Sequence, residues 1–89
     1  MPKVVFTSHL QRHVPSPTCH VAADTVGAAL AAVFAEHRAL RGYVLDDQGH
    51  LRKHVVVFVD GLRVQDRERL SDPVRADGEI HVLQALTGG

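Results

Sequence analysis

The sequence predicts an α+β fold, a mixed sheet of about four or five strands with one main helix packed on one face. Three observations carry that expectation. The signals along the chain run strand, strand, helix, strand, short strand, strand. The helical segment has a single apolar stripe, so it has one face to bury. The run His54-Val55-Val56-Val57-Phe58-Val59 is the most hydrophobic stretch, and its β-branched composition suits a central strand.

Each element has a local reason. Lys3 to Ser8 is apolar and rich in β-formers, which reads as the first strand. His9 to Pro17 contains Pro15 and Pro17 among polar residues and reads as a turn or hairpin loop. Thr18 to Ala22 reads as a second short strand. Asp24 or Thr25 supplies an N-cap for a helix running to about His37. Within it Val26, Leu30, Val33, Phe34 and His37 recur at helical spacing, and the intervening alanines favour the helix.

Arg38 to Lys53 is punctuated by Gly42, Asp46, Asp47 and Gly49, so it reads as a long connection. Leu40, Tyr43, Val44, Leu45 and Leu51 are expected to anchor it. After the central strand, Asp60-Gly61 is a hairpin-turn signal and Leu62 to Gln65 a short return strand. Arg67 to Ser71 is a polar connection. Asp72-Pro73 begins a turn or short helix, Asp77-Gly78 is a second tight turn, and Glu79 to Leu86 is the last strand.

Strand alternation sorts these residues onto two faces. Val55, Val57, Val59, Ile80 and Val82 are assigned to the core, with Val4 and Phe6. Val56, Phe58, His81 and Leu83 fall on the other face, which a single helix cannot also cover. An exposed apolar cluster marks a contact site. The alternative is that the Arg38–Lys53 connection folds over that face.

Composition bounds the function. The chain has 89 residues, 45% of them hydrophobic, and its ten basic residues balance ten acidic ones. A chain of this size makes one domain with a small core. Balanced charge argues against a nucleic-acid partner. No apolar run is long enough to span a bilayer. Met1-Pro2-Lys3 leads straight into a strand without a signal peptide's charged and apolar regions, so a cytoplasmic location is expected.

Other chemistry finds little support. Cys19 is the single cysteine and shares a strand face with Val21, which suits a small core residue better than a nucleophile or sulfur relay. His9 and His13, and likewise His50 and His54, have the i, i+4 spacing of a metal pair. That spacing needs a helix, and no carboxylate or cysteine cluster completes a site, so no metal is expected. Asp24 and Asp46-Asp47 are too scattered for an acid/base pair. The sequence contains neither GxxxxGK[ST] nor GxGxxG, so no nucleotide cofactor is expected on this chain.

The chain ends in Gly88-Gly89 directly behind the last strand. A glycine carboxylate has no side chain beside it and can be threaded through a narrow channel to a distant catalytic centre. Leu86 to Gly89, fully extended, reaches roughly 13 Å beyond the sheet. The expected organisation is therefore a folded domain over 1–86 and a flexible tail, Thr87, Gly88 and Gly89.

Five landmarks together resemble the ubiquitin-like β-grasp sulfur carriers of the MoaD/ThiS type. They are Thr25-Val26-Gly27-Ala28-Ala29-Leu30, Leu51 through Gly61, Leu70-Ser71-Asp72-Pro73-Val74, Asp77-Gly78-Glu79-Ile80, and Leu83 through Gly89. They occur in order and span essentially the whole chain. Gln84 stands where many relatives have proline, and Leu86-Thr87 precede the glycines.

The resemblance implies a β-grasp fold and a mechanism. The chain would be a protein cosubstrate, not an enzyme. A ubiquitin-activating-like adenylating enzyme, using ATP and magnesium that this chain does not bind, would convert the Gly89 carboxylate to an acyl-adenylate. A persulfide donor protein would supply sulfur, and an acceptor enzyme would use the resulting thiocarboxylate. Val56, Phe58, His81 and Leu83 would contact the adenylating enzyme. The open alternatives are a ubiquitin-like modifier joined through Gly89, the small subunit of a molybdopterin synthase, and a β-grasp binding module with an inert tail.

Overall fold

The computed structural model describes residues 1–7 and 18–84. Its strands are β1 (Lys3–Phe6), β2 (Cys19–His20), β3 (Val55–Val59), β4 (Leu62–Arg63) and β5 (Glu79–Gln84). Its helices are α1 (Val26–Glu36) and α2 (Arg38–Val44). The strands form one five-stranded sheet in the order β2-β1-β5-β3-β4. β1 and β5 run parallel, and the other pairs are antiparallel. This is the mixed sheet the sequence predicts, with β3 and β5 both in its interior.

Alternation decides which side of each strand is buried. Val4 and Phe6 pair across the parallel ladder with Ile80 and Val82, and Val57 pairs with Val82 from the other side. All five are buried. α1 lies on this face and contributes Val26, Ala29, Leu30, Val33 and Phe34 to the same core. Fully burying one such aliphatic or aromatic side chain is worth about 1.5–3 kcal/mol, so the α1 stripe is a main source of stability. Val59 is only partly buried against this cluster, less than its strand phase suggests. It is the last residue of β3, where the chain turns toward solvent at Asp60.

The start of α1 is fully accounted for. The first backbone N–H groups of a helix have no partner within it. Here the Val26 N–H donates to the Asp72 carbonyl at 3.0 Å and the Gly27 N–H to the Leu70 carbonyl at 2.8 Å. The Ala28 N–H donates to Thr25 Oγ1 at 3.1 Å, which settles the N-cap on Thr25 rather than Asp24. The helix closes at Glu36 with His37 as its C-cap.

The Arg38–Lys53 segment opens with a second helix, α2, where a connection was expected. Leu40 and Val44, one turn apart, are completely buried, and with Leu45 and Leu51 they join the core cluster on the α1 side of the sheet. The segment therefore extends the core and does not fold over the other face. Tyr43 is not an anchor of the expected kind. It is 39% exposed, since Leu40 and Val44 carry the inward side of the short helix and leave it on the flank.

Two aspartates shape the connections around the sheet. Asp60 and Gly61 both have positive φ, 50° and 83°, the pairing required by a two-residue hairpin between Val59 and Leu62. The Asp60 carboxylate then accepts the Glu79 N–H at 2.9 Å, tying this turn to the start of β5. Farther on, the Asp66 carboxylate accepts from the Arg69 N–H at 2.9 Å and from Ser71 Oγ at 2.6 Å. That cap holds Leu70 at φ 56°, a left-handed conformation unusual for a branched side chain. Burial of the Leu70 side chain offsets the cost.

Candidate functional site

The side of the sheet turned away from α1 is organised by β5. His81 occupies the middle of that strand and faces Phe58 of β3 as its antiparallel partner. On the next ladder position Val56 faces Leu83. All four side chains are half-buried, and the register brings them together as one patch over two adjacent strands. Direct cross-strand partners hold their Cβ atoms about 4.5–5.5 Å apart, so the patch is continuous.

The patch is wider than alternation in β3 and β5 alone indicates. Val5 of β1 is the parallel partner of His81, and Arg63 of β4 is the antiparallel partner of Phe58. One row across the sheet therefore reads Val5, His81, Phe58, Arg63. Val5 is the residue that sequence reasoning missed. Its signal lies in β1 itself, where Val4 and Phe6 take the core phase and Val5 must take the opposite one.

Electrostatics within the patch are modest. His81 Nε2 lies 3.1 Å from Glu79 Oε1, two residues back on the same face. Glu79 pairs in turn with Lys3 across the parallel ladder. Glu79 and Lys3 thus lie at one end of the patch and Arg63 at its β4 edge, while His81 stands among the apolar Val5, Val56, Phe58 and Leu83.

At the far end of the same strands, Thr7 Oγ1 and Gln84 Oε1 are buried without a hydrogen-bond partner among the described residues. Beyond Gln84 lie Thr87, Gly88 and Gly89, the tail and modification positions read from the sequence, which fall outside the described residues. His9 and His13 do so as well.

The remaining candidates take structural places. Cys19 is partly buried against the core. Burial, with the nearby Glu36 charge as a smaller cause, pushes its thiol above the ordinary value, which disfavours the thiolate. Asp46 accepts the His50 and Gln48 N–H groups in a tight loop, and these bonds hold its carboxyl below the usual range. Among the described residues no cluster of three histidine, cysteine or acidic side chains is placed to hold a metal, and no helix is long and apolar enough to cross a membrane.

No known family model and no curated protein matches the sequence. Solved structures do match it. Small archaeal modifier protein 1 from Haloferax volcanii is 28% identical, with 99% of this chain and 98% of that chain covered at a TM-score of 0.81. A chain of the Amycolatopsis orientalis BexX/CysO complex is 19% identical, with all of both chains covered at a TM-score of 0.82. Mycobacterium tuberculosis CysO is 19% identical, with 97% of this chain and 100% of that chain covered at a TM-score of 0.79. The helix-on-mixed-sheet architecture, the five sequence landmarks and these neighbours agree: the chain has the ubiquitin-like β-grasp fold and resembles proteins of the MoaD/ThiS type.

Proposed function

We propose that the protein is a sulfur carrier whose Gly89 carboxylate is activated by a partner enzyme. The observation that carries the reading is the course of β5. The strand that forms the centre of the apolar Phe58–His81 patch is the one that continues toward Gly88-Gly89. A partner seated on that patch contacts the same strand that leads, in sequence, to Gly88-Gly89.

The chemistry follows from the carboxylate. The Gly89 oxygen attacks the α-phosphate of ATP on the partner, giving an acyl-adenylate and pyrophosphate. A donor protein's persulfide then displaces AMP, and a thiol cleaves the acyl disulfide to leave a thiocarboxylate. The thiocarboxylate is the sulfur nucleophile delivered to an acceptor enzyme. Under this reading the chain is a cosubstrate of the cytoplasm. ATP and magnesium belong to the adenylating enzyme. The folded face supplies most of the affinity, because ordering a glycine tail is entropically costly.

The neighbours support the general kind, a ubiquitin-like small modifier or sulfur carrier. One of them is a modifier protein by name, which favours a second reading in which the same adenylate is passed to a lysine of another protein. Another was solved as a complex between CysO and BexX, which supports docking of a protein of this fold on a different partner protein.

Intact-mass measurement of the protein from its own cells tests the proposal. A sulfur carrier shows a fraction heavier by the exchange of one oxygen for sulfur, lost when Gly89 is removed. Larger covalent species without that fraction would establish the modifier reading instead. Neither form, with no dependence on Gly89, would leave a binding module.

A further inference from the structure

A groove of about 870 Å³ runs along the outer flank of α1, walled by α2 and by residues 69–71 of the connection before β5. Because α1 covers the core face of the sheet, this groove and the Phe58–His81 patch lie on opposite sides of the molecule. Its floor is apolar. Exposed Ala31 and Ala35 line it, with Phe34 and Leu45 beneath them.

The charges around it have one sign. Arg38, Arg41 and Arg69 line the groove and no aspartate or glutamate does, in a chain whose formal net charge is zero. Among the described residues the ion pairs are Arg75–Asp77 and His81–Glu79, and none of them involves Arg38, Arg41 or Arg69. The Asp66 carboxylate, in the segment before Arg69, is committed to Ser71 and the Arg69 N–H. The start of α1 adds no anion site of its own, since Asp72, Leu70 and Thr25 take its first N–H groups.

The cations stand at both ends of the apolar floor. Arg69 lies beside Gly27, whose added methyl would meet the Arg69 carbonyl at 3.2 Å, and Arg38 and Arg41 lie past the other end of the helix. From Gly27 to Glu36 the α1 axis alone runs roughly 14 Å. A small anion would reach one end only. We propose that this groove binds an acidic–apolar–acidic segment of a partner protein, with its apolar side chains on Ala31 and Ala35 and its carboxylates on Arg69 at one end and Arg38 and Arg41 at the other. The groove and the sheet face do not overlap, so occupancy of one leaves the other open.

The test is selection of a displayed library of random dodecapeptides on the full-length protein, followed by anisotropy titration of the best binder and amide-shift mapping. The expected winners carry carboxylates flanking an apolar centre and shift Ala31, Ala35, Arg38 and Leu70. Arg41→Glu and Arg69→Glu should each weaken binding by about tenfold or more. Ala31→Arg, an exposed substitution that blocks the floor without removing an arginine, should also abolish it. Phe58→Ala should leave it unchanged, which separates failure here from failure of the carrier reading. Winners without acidic bias, shifts confined to the sheet face, full displacement of the peptide by inorganic phosphate, or no enrichment would each overturn the proposal.

Discussion

Gly27 and Leu70 meet backbone to backbone. The Gly27 N–H donates to the Leu70 carbonyl at 2.8 Å, and a methyl group on Gly27 would stand 3.2 Å from that same oxygen. The contact joins the first turn of α1 to a residue held at positive φ by the Asp66 cap. A side chain at Gly27 must push on backbone, not on the end of a flexible side chain.

Gly27→Ala is therefore expected to destabilise the protein, although alanine is the better helix former. Overpacking costs about 1–3 kcal/mol, and the gain in helix propensity is about 0.5–1 kcal/mol. The net expectation is about 1 kcal/mol of lost stability. Urea denaturation measures it, and a raised midpoint would show that the 69–71 segment yields freely.

Phe34→Ala should cost about 3–5 kcal/mol. The ring is buried at the junction of α1 with the α2 segment. An unchanged denaturation midpoint would remove it from the core.

Phe58→Ala separates folding from recognition. Its side chain is half-buried on the face opposite α1, so the loss of stability should be small. An aromatic anchor at an interface commonly contributes about 2 kcal/mol, or about 30-fold in affinity. Under the proposed carrier function, ATP–pyrophosphate exchange by the cognate adenylating enzyme, at subsaturating protein, should fall by that order. Equal exchange by the variant and the parent would take this face out of the binding site.

Asp66 gives stability a pH dependence with a defined sign. Its carboxyl is held down to about 2, first by the Ser71 hydroxyl and then by the Arg69 N–H. The folded value lies below the unfolded one. The contribution is therefore fully present above about pH 4 and is lost as pH falls through about 2. Asp66→Asn should lower stability at neutral pH and flatten the acid limb of the profile. The group is exposed and solvent screens it, so the effect is modest. An acid limb identical to the parent's would refute the assignment.

Deleting Gly88-Gly89 should abolish activation and leave the melting temperature nearly unchanged. A large drop in melting temperature would make the tail structural.

Much of this was legible in the sequence, and the residues show why. Hydrophobic alternation alone assigns Val55, Val57, Ile80 and Val82 to one side and Phe58 and His81 to the other, because a strand has only two faces. Asp60-Gly61 announces its hairpin because few residues tolerate positive φ twice in succession. The α2 helix was hidden, since Gly42 and the acidic run after it mimic a loop. Its burial depends on contacts with α1 that no local pattern encodes. Val5 escaped for a related reason: its place beside His81 is set by parallel pairing of strands far apart in sequence.

The position of β5 between β1 and β3 has a consequence for how the protein is made. Translation delivers β5 last among the described strands, yet it is the strand that joins the two halves of the sheet. A nascent chain that stops before Glu79 has its β1–β2 and β3–β4 ribbons but lacks the strand that pairs with both. Isolated two-stranded ribbons are marginal in water, so such products are substrates for proteolysis. A truncated chain never assembles the Phe58–His81 face, and a partner that docks there meets only molecules translated through the last strand.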